Sequence, residues 1–110
     1  MRADGTTAGD TAPIRIVVPG HLRALAQVRG EVVVAVAAPF TVRAVVDAIE
    51  AAHPALAGTI RDRDTGQRRP MIRVYADGED YSDTWTGTEL PRAVLEGREP
   101  LRLVGAIAGG

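Results

Sequence analysis

Short apolar stretches separated by Pro, Gly and charged residues dominate the chain. Most of them are rich in β-branched side chains and are bounded by turn residues, a pattern typical of strands. The pattern predicts strands over residues 14–18, 31–37, 71–76 and 101–104. Pro19-Gly20, Pro39 and Asp77-Gly78 end the first three of these segments, which fits the preference of Pro and Gly for turns.

One segment has helical rather than strand periodicity. After Thr41, apolar side chains recur at intervals of three and four, and charged residues occupy the opposite face. Thr41 is a suitable N-cap because its hydroxyl can accept from the free amides of the first turn. Pro54 stops helical continuation just after His53. The sequence therefore predicts one main helix over residues 42–53.

The remaining segments predict connections. Residues 1–13 are small and polar and predict a disordered lead-in. Residues 21–27 predict one loose turn, residues 58–70 an exposed charged loop, and residues 90–95 a short connector. Trp85 is expected to lie half-buried beside the sheet. The order strand, strand, helix, strand, strand indicates a single α+β domain, which suits a chain of 110 residues.

Composition excludes several functional classes. The formal net charge of -1 gives no electrostatic case for nucleic acid or an anionic membrane as a partner. The chain has no Cys, hence no thiol nucleophile, no disulfide and no Cys-based metal site. All 13 basic residues are Arg. The first 13 residues lack the apolar core of a signal peptide, and no apolar run approaches a membrane span, so we expect a cytoplasmic protein.

Side chains within the chain give weak signals for chemistry. His21 and His53 are far apart in sequence, and the acidic residues lack the spacing of a calcium loop, so no metal site is expected. Ser82 has no neighbouring His and suggests no catalytic triad. The basic cluster Arg61, Arg63, Arg68 and Arg69 is interpreted as a solvated loop, with contact to a partner as the alternative.

The end of the sequence carries the clearest functional signal. Gly109-Gly110 follows an apolar strand-like segment, and two glycines at one terminus are rare by chance. Glycine has no Cβ, so such an end can lie extended in a channel too narrow for other residues. The group delivered there is a carboxylate. A frayed end without function is the alternative.

The chain resembles the prokaryotic ubiquitin-like sulfur carriers, the family of the molybdopterin synthase small subunit and the thiamine sulfur carrier. The resemblance covers residues 14–110 and rests on the Thr41-capped helix, on MIRVYADGED at 71–80 and on LEGREPLRLVGAIAGG at 95–110. The segments VYADGED and AIAGG and the long loop at 58–70 look closest to the cysteine-biosynthesis branch. The resemblance implies a β-grasp domain over residues 14–104, with a mixed sheet of four to five strands and one main helix. It also implies a flexible diglycine tail over residues 105–110.

The resemblance also implies a mechanism. An adenylyltransferase of the ubiquitin-activating type, which consumes ATP, would adenylate the carboxylate of Gly110, the second residue of the pair Gly109-Gly110. Sulfur would then replace AMP and leave a thiocarboxylate. A sulfur-accepting synthase would then take the sulfur. Ala106, Ile107 and Ala108 would contact these partners, and a hydrophobic patch on the open face of the sheet would dock the domain. The chain would be a cosubstrate rather than an enzyme and would bind no cofactor itself. The alternative is a ubiquitin-like modifier that is joined to lysines through Gly110.

Overall fold

A computed structural model of the chain describes residues 11–105. Within them a mixed sheet and one main helix surround a single core. The elements, in chain order, are β1 (Thr11–Val17), α1 (Gly20–Ala26), β2 (Val32–Ala37), α2 (Val42–Ala52), a 3₁₀ turn (Pro54–Leu56), β3 (Ile72–Ala76), β4 (Glu79–Asp80), α3 (Arg92–Leu95) and β5 (Leu101–Gly105).

The sheet has five strands in the order β2-β1-β5-β3-β4. β1 pairs with β2 in antiparallel orientation and with β5 in parallel orientation, and β5 pairs with β3 in antiparallel orientation. The parallel pair at the centre of the sheet consists of β1 and β5, the first and last strands of the described chain. One main helix across one face of this mixed sheet is the β-grasp arrangement, so the expected fold is confirmed.

Alternation along the strands builds the core. In β2 the even-numbered valines are buried while Val33, Ala35 and Ala37 are exposed, so one face of the strand packs against α2. In α2 the buried positions are Val42, Val45, Val46 and Ile49, the face that helical periodicity predicts. Thr41 caps this helix as expected, because its hydroxyl accepts from the backbone N–H of Ala44 at 3.2 Å.

Several boundaries differ from the sequence-based predictions. Residues 11–13 belong to β1 and not to a disordered lead-in, because they pair with residues 35–37 of β2. Residues 20–26 form a helix instead of a loose turn; Leu22 is buried, and Gln27 ends the helix in the left-handed conformation. Residues 92–95 also form a short helix, with Ala93 and Val94 buried.

The turn at Asp77-Gly78 is confirmed, and it forms a hairpin that the pattern did not predict in full. Both residues have positive φ, 49° and 82°, which matches the preference for Asp-Gly in two-residue hairpins. The returning strand β4 has only two residues, and both are acidic. Trp85 is more buried than expected, at 9% exposure.

Candidate functional site

The described part of the chain ends with β5, five residues before Gly110 in the sequence. β5 lies between β1 and β3, and Gly105, its last residue, is paired with Ile72. The predicted tail of residues 105–110 therefore overlaps the sheet by one residue. The five predicted site residues lie outside the described residues: Ala106, Ile107, Ala108, Gly109 and Gly110.

Gly105 lies close to the start of α1. A Cβ on Gly105 would be 3.3 Å from Cε1 of His21 and 3.6 Å from the ring carbons of Pro19. The backbone of β5 can therefore approach this turn because no side chain intervenes. No sequence signal places His21 beside the end of β5, because this proximity arises only from the fold.

An open apolar depression adjoins the end of β5. It has a volume of about 660 Å³ and is lined by the end of β1, the start of α1 and the end of β5. Leu103, Val104 and Gly105 contribute from β5, opposite Pro19 and His21. Gly105, the last described residue, is therefore flanked by apolar surface at the end of β1 and the start of α1.

The open face of the sheet was predicted to carry a hydrophobic patch. Large apolar side chains are exposed there on three different strands: Val33 at 61%, Tyr75 at 36% and Val104 at 43%. Arginines stand between them, because Arg73 is opposite Val104 and Arg102 is opposite Tyr75. The face is thus a mixed surface of apolar and guanidinium groups and not one continuous hydrophobic patch.

Ion pairs hold two of the open-face arginines. Arg15 Nη2 lies 2.7 Å from Glu31 Oε2, and this hydrogen-bonded pairing lowers the pKa of Glu31. Arg73 Nη2 lies 2.6 Å from Asp80 Oδ2. Arg102 lies between them on the central strand and is exposed, and its positive charge also lowers the pKa of Glu31.

The basic cluster in the 58–70 loop is in part structural, which corrects its interpretation as a solvated loop. Arg61 binds both Asp47 and Glu50 of α2, at 2.7 and 2.9 Å, and its side chain is only 19% exposed. Arg68 donates to the carbonyls of Ser82 and Ile72 at 2.8 and 2.7 Å. Arg63 and Arg69 remain exposed. Two of the four arginines therefore fasten the loop to the domain.

In the described part of the chain, no group of three or more His, Cys, Asp or Glu side chains is arranged to hold a metal ion. His53 ends α2, the position expected for it. Among residues 11–105 no helix has the length and apolar character needed to cross a bilayer.

Comparison with solved structures identifies similar proteins from one archaeon. The crystal structure of SAMP1 from Haloferax volcanii is 28% identical over 89% of this chain and 99% of that chain, with a TM-score of 0.67. A crystal structure of small archaeal modifier protein 1 from H. volcanii is 25% identical over 87% and 99%, with a TM-score of 0.65.

The solution structure of the H. volcanii HVO 2177 protein is 19% identical, covers 99% of this chain and 94% of that chain, and has a TM-score of 0.70. At that identity it supports the fold alone. No protein-family model and no curated protein matches the chain.

Proposed function

We propose that the chain is a ubiquitin-like carrier that is activated at Gly110 and receives sulfur there. The observation that carries the proposal is the placement of β5. A central strand of a β-grasp sheet ends at Gly105, five residues before Gly110. Only five residues of sequence therefore separate the described sheet from the carboxylate of Gly110. Similarity to structures of small archaeal modifier proteins supports the same class of function.

The proposed chemistry begins with activation because a carboxylate is a poor electrophile. Its pKa of about 3.3–3.7 leaves it ionised at neutral pH. An adenylyltransferase of the ubiquitin-activating type would join the Gly110 carboxylate to AMP and release pyrophosphate from ATP. Hydrosulfide would then attack the acyl carbon and displace AMP, which leaves a thiocarboxylate. The protein itself supplies no acid or base and acts as a cosubstrate.

Reach and docking set the requirements on the domain. The five residues from Ala106 to Gly110 span at most about 17 Å when extended at ~3.3–3.6 Å per residue. The partner's active site must therefore approach the end of β5 closely, and the domain must dock beside it. Val104 and Arg102 on the open face, with the apolar depression at Pro19, provide contact surface at that distance. Ile107 supplies the one large apolar side chain beyond Gly105.

The proposed destination of the sulfur is cysteine biosynthesis. This choice rests on the resemblance of the amino-acid sequence at residues 71–80 and 95–110 to that branch of carriers, and on the long 58–70 loop. A synthase that makes molybdopterin, thiamine or another sulfur-containing metabolite would use the same thiocarboxylate. The acceptor enzyme therefore distinguishes these pathways, and the carrier chemistry is common to them.

Attachment to lysines of other proteins is the second candidate function. The names of the structurally similar modifier proteins favour it. It shares the adenylation step and differs in the nucleophile, an amine in place of sulfur. The chain contains no Lys, so a second copy could be attached only at the N-terminal amine and lysine-linked chains cannot form on it.

Intact-mass spectrometry tests the proposal. The protein purified from its native host is first checked for Gly110 as its last residue and is then incubated with ATP, its activating enzyme and a sulfide source. We expect a mass increase equal to the replacement of one oxygen by sulfur, and its reversal when the sulfur-accepting enzyme and its substrate are added. Gly109→Ala and Gly109→Val serve as paired variants, because a β-branched side chain fits a narrow channel worse than a methyl group.

Other outcomes contradict parts of the proposal. Stable adducts on lysines of other proteins, with no thiocarboxylate formed, would establish conjugation instead. An acceptor specific for a molybdopterin or thiazole precursor would retain the carrier role and overturn the cysteine branch. Failure of Gly110 to be adenylated by any activating enzyme of the host would exclude both functions.

A further inference from the structure

The apolar depression at the end of β5 lies between two parts of the described chain. Leu103, Val104 and Gly105 form one side, and the end of β1 with the start of α1 forms the other. Parallel pairing of β1 with β5 sets the two sides level, since Val17 is opposite Arg102. Val104 is 43% exposed, so apolar surface at this place stays open within residues 11–105.

Gly105 sets the direction from which the next residues approach. A Cβ on Gly105 would point toward the start of α1, 3.3 Å from Cε1 of His21 and 3.6 Å from the ring carbons of Pro19. Side chains alternate between the two faces of a strand, so positions 105 and 107 lie on the same side of an extended chain. Two residues span at most about 7 Å at ~3.3–3.6 Å per residue. An extended continuation of β5 would therefore carry the Ile107 side chain to the depression.

The sequence after Gly105 contains one side chain suited to this surface. It reads Ala-Ile-Ala-Gly-Gly, so Ile107 is its one large apolar residue. The described residues that line the depression include the basic residues His21 and Arg23 and no acidic residue. Arg23 Nη1 donates to the carbonyl of Val18 at 2.7 Å, which holds its side chain beside the depression. A segment that ends in a carboxylate therefore meets no acidic side chain in this lining.

We propose that Ile107 of the free protein occupies this depression and holds the segment 106–110 against its own domain. The driving force is the removal of apolar surface from water, both on the isoleucine side chain and on the lining. Gly105 already forms part of the lining, so the segment reaches the site without reversing its direction.

Covalent attachment favours this occupant over others. Ile107 is joined to the lining through two residues, and a group on so short a tether has an effective concentration on the order of mM. A second copy of the chain, or an unrelated apolar peptide, must reach that concentration in solution to compete. The chain's own segment therefore fills the site first.

Docking of Ile107 would restrict the access of a partner to Gly110, a consequence that rests on the proposed function. Only residues 108–110 remain beyond Ile107, and they span at most about 11 Å at ~3.3–3.6 Å per residue. A partner that draws Gly110 deeper must first remove Ile107 from the depression. Its apparent affinity then falls in proportion to the fraction of the protein with an undocked segment. Removal of Ile107 also uncovers the depression for contact with that partner.

Nuclear magnetic resonance of the full chain, with ¹³C-labelled isoleucine methyl groups, tests the docking. We expect nuclear Overhauser effects between the δ1 methyl of Ile107 and the ring protons of Pro19 and His21, unchanged on dilution. No activating enzyme and no ATP are present. Failure of the docking and failure of adenylation at Gly110 are therefore separate results.

Matched variants of α1 locate the contact. Gly20 lines the depression, and a Cβ on it would approach Nη2 of Arg23 at 3.4 Å. Gly20→Leu therefore places a side chain in the depression and should remove the contacts of Ile107. Ala24→Leu adds the same side chain at an exposed position of α1 outside the lining and should leave them in place. The unfolding midpoint of each variant confirms that it is folded.

Amide chemical shifts provide a second measure. Ile107→Ser should shift the amide resonance of His21, because it removes the docked side chain. The amide of Met71 should stay unaltered, although Met71 is also near the end of β5, next to the residue paired with Gly105. Ala108→Ser makes a similar change one residue further along and should shift neither amide.

Three results would overturn the proposal. An Ile107 methyl group without contacts to Pro19 or His21 would show that the depression is empty of it. Equal loss of those contacts in Gly20→Leu and Ala24→Leu would place the contact outside the depression. Contacts found only between labelled and unlabelled copies in a mixed sample would assign the depression to Ile107 of a second copy.

Discussion

The carboxylate of Asp80 is held ionised by groups on both sides of the β3–β4 hairpin. The hydroxyl of Ser82 donates to it, Arg73 Nη2 donates to Oδ2 at 2.6 Å, and the backbone N–H of Ser82 donates to Oδ1 at 2.8 Å. Together these hydrogen bonds lower the pKa of Asp80 from 3.8 to about 2. The same Ser82 accepts from the backbone N–H of Val74 at 2.8 Å, so the network connects the hairpin end to a buried strand.

The depressed pKa of Asp80 predicts a pH-dependent contribution to stability. Because the folded pKa lies below the unfolded value, the contribution is complete above about pH 4 and disappears as the pH falls through about 2. Asp80→Asn should lower the unfolding midpoint at pH 6, and the difference from the unsubstituted protein should shrink between pH 4 and pH 2. Thermal unfolding followed by circular dichroism at several pH values measures this difference in midpoint.

Asp64→Asn is the control for this prediction. Asp64 is exposed, and its side chain forms no hydrogen bond within residues 11–105, so its substitution should leave the midpoint nearly unaltered at pH 6. A difference for Asp80→Asn that stays constant from pH 6 to pH 2 would show that the substitution acts through packing and not through the ionised carboxylate.

At the scale of elements, α2 shows how one local hydrogen bond starts the main helix. Thr41 is extended, with φ -111° and ψ 168°, and its hydroxyl satisfies the N–H of Ala44, one of the groups left free at a helix start. The residue is 6% exposed, so water cannot readily replace the bond. The helix then buries four apolar side chains against the sheet: Val42, Val45, Val46 and Ile49.

Thr41→Ala should therefore lower the free energy of unfolding by about 1 kcal/mol, the usual loss for an N-cap. Thr41→Ser keeps the hydroxyl and should recover most of that loss. Urea denaturation at equilibrium measures both, with Thr88→Ala as a control at an exposed loop position. If the serine variant were as unstable as the alanine variant, the methyl group of Thr41 and not its hydroxyl would carry the stabilisation.

The sequence predicted the elements whose causes are local. The α2 periodicity, the Thr41 cap and the Asp77-Gly78 turn each depend on residues within a few positions of one another, and the structure confirms all three. Helix α1 was missed because Pro19 offers no side-chain cap and the helix has only seven residues, with Leu22 buried as its anchor.

Features that depend on distant contacts could not be predicted. Arg61 meets Glu50 eleven positions away, and Arg68 meets Ser82 fourteen positions away, so the loop looked solvated when considered alone. The glycines of the candidate site stay a prediction from the sequence, because Gly109 and Gly110 lie outside the described residues. Which strands lie at the edges of the sheet depends on long-range pairing, and only the topology shows that.

At the scale of the whole molecule, stability and the proposed chemistry occupy different parts of the chain. The described core is built from residues between Ala12 and Leu103, and β5 contributes Leu101 and Leu103 to it, at 0% and 2% exposure. Gly109 and Gly110 follow the last described strand by several residues. We therefore expect folding not to depend on the last two residues.

Deleting Gly110 should separate these two roles. The unfolding midpoint should stay within about 1 °C of that of the full chain, because no part of the described core is removed; a loss of 1 kcal/mol would lower it by about 4–8 °C. Adenylation by the cognate activating enzyme should be abolished, measured as ATP-dependent pyrophosphate release.

Leu103→Ala is the opposite case, since truncating a buried leucine costs about 2–5 kcal/mol and should lower the midpoint strongly. If the deletion destabilised the domain as Leu103→Ala does, the last glycine would belong to the fold. If it left adenylation intact, Gly110 would not be the reacting end. The expected pattern, a stable domain that cannot be activated, requires both that the chemistry lies at Gly110 and that the domain serves to carry it.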